Sequence, residues 1–427
     1  MQFKQLIAYN QLFALLAKLL EGGKSVLFAL AVMSFYSTTD FGTFSVTIAV
    51  GSVLAIVAEF RLMGVLIRLF GAYPSLRKRV LSHAVRINII FALVGVVLIA
   101  ASFLLVESLL YQCLLIFSLS FLFKFARSIR ALLISNQQNS RIAIAEVCSG
   151  LLMLVSLTVA IFSQADLQWL VLIRTLDFLL VSVLFIYFAK VSLPSLWRVS
   201  YSARLSGFLI KKSLPLVLSG AAMILFQRVD LILINAFLTT ELTGVYASAT
   251  TIVSVFSIAA IVFSESLAPQ LFKNTQLSGD AAFGKLLLSV GAGMSILCFI
   301  GSGFIIEYLL SPEYQAAHRS LQILSLSPFF IALGAFAGQV IIKRRLERFV
   351  FKKSLAACVI TIVLDILLIP FIGIEGGAIA TVCGLFVANY LSHWWIKPLR
   401  DVFNLQNRVI TQKAITTLNR TKLNNAD

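Results

Sequence analysis

The chain is poor in charged residues and in the residues that most enzymes use for chemistry. Only 12% of its 427 residues are charged, which is about half the share found in an average soluble domain. Histidine occurs 3 times, and none of the 5 cysteines belongs to a Cys-x-x-Cys pair. The cysteines all lie in apolar runs, where cysteine serves as a small core residue. These shortages argue against a disulfide framework and against a metal site.

Enzyme signatures are missing as well. The sequence contains no Gly-rich phosphate loop, no His-Glu-x-x-His motif and no nucleophile–histidine–acid set. We therefore expect a protein that is not an enzyme, binds no cofactor and does not hydrolyse ATP. We also expect no cleavable signal peptide, because the first apolar run contains Lys18, Glu21 and Lys24 and no small-residue cleavage site follows it.

Apolar residues are abundant in place of these groups. They make up 59% of the chain, and the mean hydropathy is +0.97. A soluble fold of this length has too little interior to bury so much apolar surface, so we predict an all-α polytopic membrane protein. The net charge of +17 would suggest nucleic acid in a soluble protein. Here the cations flank apolar runs, and we expect membrane lipids and no nucleic acid as partners.

Twelve apolar runs are each long enough to cross the hydrocarbon layer, which takes about 20 residues. The predicted spans are residues 10–34, 42–67, 84–106, 108–134, 142–164, 167–189, 212–238, 244–268, 285–308, 317–342, 353–371 and 375–397.

Lysine and arginine cluster at every second connection between these spans. About 29 of the 35 cations fall on one side, and Lys124, Arg127 and Arg130 are counted among them. The positive-inside rule makes this side cytoplasmic. With an even number of spans, both termini are predicted to be cytoplasmic, in a multi-pass protein of the bacterial inner membrane.

The longest internal connection divides the chain into two halves. We predict an N-terminal six-helix half at 1–189, a basic cytoplasmic linker at 190–211, a C-terminal six-helix half at 212–399 and a basic cytoplasmic tail at 400–427. 

The two halves resemble each other weakly. Placing Gly42 on Gly244 superposes the second span on the eighth without a gap. Two halves with the same orientation indicate a parallel repeat about an axis normal to the membrane, with the substrate path between them near the midplane.

Several cations lie inside predicted spans, where each charge costs about 3 kcal/mol and usually faces a cavity or a partner. We predict that Lys24, Arg61 and Arg228 line one water-filled cavity and bind substrate there. Such a cavity suits a phosphate-bearing substrate, because arginine binds phosphate oxygens bidentately. The alternative is structural pairing, in which Glu21 neutralises Lys24 and Asp230 neutralises Arg228.

Carboxylates inside the spans are candidates for coupling transport to an ion gradient. Glu21, Asp230, Glu265 and Asp365 are predicted to couple or modulate, with a proton or sodium gradient as the energy source. Glu146 and Asp365 could equally hold helices together. For Arg174 and Asp177, which are three residues apart, we expect a structural ion pair.

Short motifs carry a resemblance to polysaccharide flippases. They are Asp40-Phe41-Gly42-Thr43-Phe44, Ser213-Leu214-Pro215-Leu216-Val217-Leu218-Ser219-Gly220 with Asp230 downstream, and Gly244-Val245-Tyr246-Ala247-Ser248-Ala249. The chain resembles a Wzx-type O-antigen flippase of the multidrug/oligosaccharidyl-lipid/polysaccharide (MOP) exporter superfamily, in length and span number over the whole chain.

The resemblance implies a V-shaped, MATE-like 6+6 helical bundle that works by alternating access. The implied cargo is an undecaprenyl-pyrophosphate-linked oligosaccharide, moved from the cytoplasmic to the periplasmic leaflet for lipopolysaccharide or a related polysaccharide. A polysaccharide polymerase and a chain-length regulator are the implied protein partners. Two alternatives stay open: a MATE-like, cation-coupled multidrug exporter, and a non-transporting membrane scaffold of a polysaccharide assembly complex.

Overall fold

A computed structural model describes residues 2–103, 108–273 and 277–411, and this part of the chain is helical without a strand. The α-helices, numbered in chain order, are α1 (Gln2–Phe35), α2 (Thr38–Glu59), α3 (Met63–Ala72), α4 (Arg77–Phe103), α5 (Leu109–Ser118), α6 (Ala126–Ser135), α7 (Asn139–Phe162), α8 (Leu167–Ala189), α9 (Leu193–Trp197), α10 (Ala203–Phe237), α11 (Thr240–Lys273), α12 (Leu277–Phe304), α13 (Ala317–Leu324), α14 (Ser327–Lys343), α15 (Val350–Ile372), α16 (Ile374–Phe386) and α17 (Ser392–Trp395). Short 3₁₀ turns cover Pro74–Leu76, Leu119–Phe123, Pro312–Tyr314, Glu347–Phe349 and Lys397–Leu399, and π-helical turns cover Ile305–Leu309 and Val387–Leu391.

Eleven helical segments of the described chain are long and apolar enough to cross a membrane, and the chain is a multi-pass membrane protein. Each overlaps one of the second to twelfth predicted spans. Helix α1 overlaps the first, but with Lys18, Glu21 and Lys24 it is too polar to count among the eleven. The segments are Thr38–Ala72, Pro74–Ser102, Leu109–Ser135, Asn139–Phe162, Leu167–Ala189, Ala203–Phe237, Thr240–Ala268, Gly279–Tyr308, Ala317–Lys343, Glu347–Ile372 and Ile374–Trp395.

The chain forms two compact units, unit 1 (Met1–Arg228) and unit 2 (Val229–Asp427). The boundary lies inside α10, whereas the sequence suggested the connection 190–211. That connection is held against α4 in unit 1. Ser82 Oγ donates to the carbonyl of Leu196 at 2.7 Å, and the Arg86 guanidinium donates to the carbonyls of Trp197 and Val199 at 2.8 and 2.7 Å.

The membrane segment Thr38–Ala72 is broken near its middle. Helix α2 ends at Glu59, and Phe60 and Arg61 both adopt left-handed backbone conformations, with φ of 48° and 41°. Such conformations are strained for residues other than glycine and persist only where the surroundings enforce them. Asn88 supplies that support, because its Nδ2 donates to the carbonyls of Ala58 and Glu59 at 3.1 and 2.6 Å.

The membrane segment Leu109–Ser135 is irregular as well. Helix α5 gives way to the 3₁₀ turn Leu119–Phe123 before α6 begins. Helix α8 packs beside this stretch, and Ser182 Oγ on it donates to the Phe123 carbonyl at 3.1 Å. Non-helical backbone at membrane depth is tolerated where it is buried in protein or lines a cavity. Both breaks in unit 1 therefore need neighbours that replace the lost helical hydrogen bonds.

In unit 2, α15 and α16 form a tight helical hairpin. Gly373 joins them with a φ of 66°, and a Cβ at Gly376 would overlap the α15 backbone at Leu368. Elsewhere in unit 2, a cluster of buried apolar residues packs α11, α12 and α14 against residues 400–411, which are helical. The start of the predicted tail thus packs on the core, whereas residues 412–427 lie outside the described residues.

The Asn88 support gives a stability prediction. Asn88→Leu keeps the branched shape of the side chain but leaves two carbonyls of the α2 end without donors, so we expect the free energy of unfolding to fall by about 2–4 kcal/mol. Ser128→Ala removes only the 2.8 Å bond that Ser128 Oγ donates to Asn88 Oδ1, so its effect should be smaller. Thermal unfolding of the detergent-purified protein measures both. Equal stability of Asn88→Leu and wild type would show that the break needs no such support.

Candidate functional site

A polar cavity of about 250 Å³ lies inside unit 1. It is enclosed by α1, α6, α7, α8 and the irregular stretch before α6. Five cations and three carboxylates line it, an unusual density of charge for the interior of a membrane bundle. The charged lining residues are Lys24, Lys124, Arg127, Arg130, Arg174, Glu21, Glu146 and Asp177.

Lys24 is the centre of an ion cluster that ties three helices together. Its Nζ lies 2.7 Å from Asp177 Oδ1 on α8 and donates to Ser149 Oγ on α7 at 2.8 Å. Glu146 Oε2 lies 2.9 Å away, an ion pair in which that oxygen accepts no aligned hydrogen bond. Helix α1 packs along α7, and the Lys24 stem contacts Gly150 there. Lys24 is 8% exposed, so the cluster is buried.

Asp177 is shared between two cations. Its Oδ2 accepts a hydrogen bond from Arg174 Nη1 at 2.7 Å, which confirms the pair predicted from their spacing. Arg174 Nη2 also donates to Ser25 Oγ on α1 at 2.7 Å. Both oxygens of Asp177 are therefore engaged, one by each cation, and the carboxylate links α1 to α8.

A second group of ion pairs lies next to the first. Glu21 on α1 pairs with Arg130 at 2.7 Å and with Arg127 at 3.5 Å, both on α6. Arg127 reaches Glu59 at the end of α2 as well, at 3.1 Å. Glu21 therefore bridges α1 to α6, and these two arginines are its ion-pair partners.

Lys124 differs from the other cations of the cavity. It is 8% exposed, and within the described chain no carboxylate lies within ion-pair distance of it. Its Nζ lies 3.9 Å from the centre of the Phe178 ring, and the Arg174 guanidinium lies 5.1 Å from the same ring.

Arg61 and Arg228 do not belong to the charged lining of this cavity. Arg61 lies at the break after α2 and packs against Gly220 on α10, where a Cβ would overlap the guanidinium. Arg228 is half-buried on α10 at the end of unit 1. Of the three cations predicted to share a cavity, only Lys24 lies on this one, and the binding role of all three stays a prediction.

The sequence did not identify Lys124, Arg127 and Arg130 as site residues. The sequence pattern counted them among the cations of the cytoplasmic side, which stays a prediction, and the structure shows that they also line the cavity of unit 1. They lie near the end of an apolar run, where the positive-inside pattern is expected, and this concealed them. The spacing of three between Lys124, Arg127 and Arg130, which puts them on one helix face, was the available signal.

Unit 2 contains a separate buried carboxylate site. Asp230 on α10 is 4% exposed, and its Oδ2 accepts hydrogen bonds from the Tyr246 hydroxyl at 2.7 Å and from Thr381 Oγ1 at 3.1 Å. Asp365 on α15 is fully buried, and neither of its oxygens has a hydrogen-bond partner among the described residues. It interacts electrostatically with Asp230. Glu265, the fourth predicted carboxylate, lies half-buried on α11.

The fold is that of MOP superfamily transporters. The structure resembles an inward closed lipid II flippase MurJ with a TM-score of 0.70 and 14% identity, covering 98% of this chain and 92% of that one. It resembles an inward-facing MATE family multidrug resistance transporter with a TM-score of 0.67 and 14% identity, covering 95% and 99%. A MOP superfamily transporter from Pyrococcus furiosus, described as having a binding pocket of reverse polarity, gives 0.61 and 12%, covering 96% of each chain.

Sequence comparison reaches less far. No protein-family model matches the chain. It is 26% identical over 165 residues, 38% of its length, to an uncharacterized membrane protein of Methanocaldococcus jannaschii. The match spans about a third of that relative, 32% of its length.

The ion cluster predicts a compensating pair of substitutions. Lys24→Met removes one cation and leaves Glu146 in particular without a partner, so we expect the free energy of unfolding to fall by about 3–5 kcal/mol. Adding Glu146→Gln removes the uncompensated carboxylate and should restore much of the loss. Thermal unfolding of the purified single and double variants measures the coupling. Additive losses would contradict a cluster held together by these charges.

Proposed function

We propose that this chain is a transporter that flips an undecaprenyl-pyrophosphate-linked oligosaccharide from the cytoplasmic to the periplasmic leaflet of the bacterial inner membrane by alternating access. The observation that carries the proposal is the unit 1 cavity, where five cations face three carboxylates. The likeness of the fold to a lipid II flippase supports it. On this proposal both termini are cytoplasmic.

The charge of the cavity favours the flippase over the multidrug exporter. A site with more cations than carboxylates attracts a phosphate-bearing headgroup and repels a lipophilic cation, and a partly dry interior strengthens both effects. A MATE-like multidrug exporter is the alternative. The fold resembles a MATE transporter almost as closely as it resembles the lipid II flippase, so the experiments below also test this alternative. A non-transporting scaffold has no need of a buried, charged cavity.

The three predicted cations differ in their surroundings. Lys24 is engaged by Asp177, Ser149 and Glu146, so we assign it to holding the cluster together. Arg61 forms no ion pair with a described residue, and it lies at the break after α2 with its guanidinium packed against Gly220. Broken helices commonly form the substrate sites of transporters. Arg61 and Arg228 lie outside the charged lining of the unit 1 cavity, and we propose that their planar forks bind the cargo's phosphate oxygens at a second position on its path.

The carboxylate site of unit 2 supports a role in coupling. A buried carboxylate without hydrogen-bond donors is costly unless it is protonated or balanced by a cation. Asp365 is in this position, next to Asp230 with its two hydroxyl donors. We therefore assign coupling to a proton or sodium ion at these two residues. Glu21, bound by two arginines, has a structural role in this scheme, and Glu265 has no assigned step.

The cargo role of Arg228 predicts a graded loss of activity. Arg228→Ala should abolish surface polysaccharide in a flippase-null strain while the protein remains in the membrane. Arg228→Lys should keep part of the activity, because the charge remains and the bidentate fork is lost. Arg61→Ala should behave like Arg228→Ala, and Arg198→Ala, at an exposed arginine of the 190–211 connection, is the matched control.

Two outcomes would overturn this proposal. One is normal surface polysaccharide from an Arg61→Ala and Arg228→Ala double variant present at the wild-type level. The other is transport of a lipophilic cation, and not of the pyrophosphate-linked lipid, by the wild-type protein in proteoliposomes.

The coupling assignment predicts that Asp365→Asn uncouples transport from the ion gradient. The amide keeps the shape and cannot take up a proton or balance a cation. In proteoliposomes, an imposed proton or sodium gradient should accelerate flipping by wild type but not by Asp365→Asn, and the gradient that works identifies the ion. Asp401→Asn, at a carboxylate with an 82% exposed side chain, is the control. A gradient response of Asp365→Asn equal to that of wild type would rule out the assignment.

A further inference from the structure

The charged groups around the unit 1 cavity do not balance. The charged residues that line the cavity, together with Glu59, which pairs with one of them, are five cations and four carboxylates. The cations are Lys24, Lys124, Arg127, Arg130 and Arg174, and the carboxylates are Glu21, Glu59, Glu146 and Asp177. Every one of the four carboxylates is already paired with at least one of the other cations. The remaining positive charge therefore belongs to Lys124.

Lys124 cannot relieve this imbalance by reaching water at the membrane surface. A lysine near a helix end can extend its stem to the interface. Lys124 instead directly follows the 3₁₀ turn Leu119–Phe123, and its side chain is buried against Phe178. Ser182 fixes the same stretch through its bond to the Phe123 carbonyl. The ammonium group is thus held over one ring face at the cavity wall.

The aromatic ring alone is a weak substitute for a counter-charge. A cation–π contact compensates only part of the hydration that a buried ammonium loses. Phe178 is moreover shared, because the Arg174 guanidinium lies 5.1 Å from the same ring. Two cations thus flank one aromatic side chain, and all three residues line the cavity.

The cavity has the size and the donors for a phosphate group. Its 250 Å³ equals about eight water volumes, more than a halide ion fills. Beside Lys124 it is lined by the guanidinium of Arg127, whose side chain keeps 41% of its exposure while it pairs with Glu59 and Glu21. Planar guanidinium groups with spare donors favour phosphate oxygens over a spherical anion.

We propose that the unit 1 cavity binds a phosphate or pyrophosphate group, with Lys124 as its principal anchor and Arg127 as its second donor. The group belongs either to a lipid headgroup or to free phosphate or pyrophosphate. This inference deepens the proposed function and rests on it for the lipid-borne source. It differs from the cargo assignment to Arg61 and Arg228, because it places a phosphate site among residues that the sequence pattern had counted only as cations of the cytoplasmic side.

Direct binding measurements test the proposal on the full chain. The detergent-purified protein is titrated with undecaprenyl pyrophosphate, undecaprenol and inorganic pyrophosphate, and binding is followed by native mass spectrometry and by the shift in thermal unfolding. Lys124→Met should bind both pyrophosphate probes about ten- to a hundredfold more weakly, the effect of losing one charge-assisted hydrogen bond. Lys124→Arg should restore binding to within a few-fold of wild type.

The matched control is Lys353→Met. Lys353 on α15 is buried to a similar degree, 9% exposed, but lies in unit 2. This variant should bind the probes like wild type. Without ligand, Lys124→Met should unfold at the wild-type temperature or above, because it removes an uncompensated buried charge, so weaker binding would not reflect misfolding.

The probes separate the sources of the anion. Binding of undecaprenyl pyrophosphate alone identifies a lipid headgroup, and equal binding of inorganic pyrophosphate identifies the free anion. Unchanged binding of both pyrophosphate probes by Lys124→Met, or binding of undecaprenol as tight as that of its pyrophosphate, would overturn the proposal. Lys124-dependent binding of pyrophosphate by a protein that flips no pyrophosphate-linked lipid in proteoliposomes would count against the flippase function alone.

Discussion

Charge compensation inside an apolar bundle is the constraint on which unit 1 depends. Lys24 lies deep among lipid-facing helices, and it is tolerated there because Asp177, Glu146 and Ser149 surround its ammonium group. Breaking a buried pair is far more costly than the pair is stabilising, since the remaining charge is left alone. The cluster therefore fixes how α1, α7 and α8 lie together more than it adds to stability. A loss of activity on replacing Lys24 would not by itself show that this residue contacts a ligand.

Two irregular stretches of unit 1, the break after α2 and the 3₁₀ turn before α6, adjoin the same cluster. Helix α2 stops at Glu59, whose side chain pairs with Arg127, and the 3₁₀ turn before α6 ends next to Lys124. Side chains from neighbouring helices replace the hydrogen bonds that these breaks remove, with Asn88 at the first and Ser182 at the second. A break that is supported in this way can present a charged side chain to a cavity without exposing bare carbonyls to lipid.

The sequence predicted the membrane spans well, because a long apolar run is a local signal; Leu167–Ala189 matches the prediction 167–189 residue for residue. It predicted the site less well, because ion pairs between helices are not local. The spacing of Lys18, Glu21 and Lys24 suggested pairing along α1, but Glu21 bonds to Arg130 and Lys24 to Asp177. The break after α2 could not be read from the sequence either. Its left-handed residues are Phe60 and Arg61, not a glycine or a proline, and the Asn88 side chain that supports it comes from another helix.

The pairing of Lys24 has a consequence for how the protein is made. Asp177 follows Lys24 by 153 residues, so α1 leaves the ribosome long before its counter-charge exists. A nascent chain that ends before α7 carries Lys24 with neither of its carboxylates. The charge of Lys24 on α1 can therefore be balanced by Glu146 and Asp177 only after α7 and α8 have been inserted. Integration of these three helices is then coupled, because the charge on one is compensated by the other two.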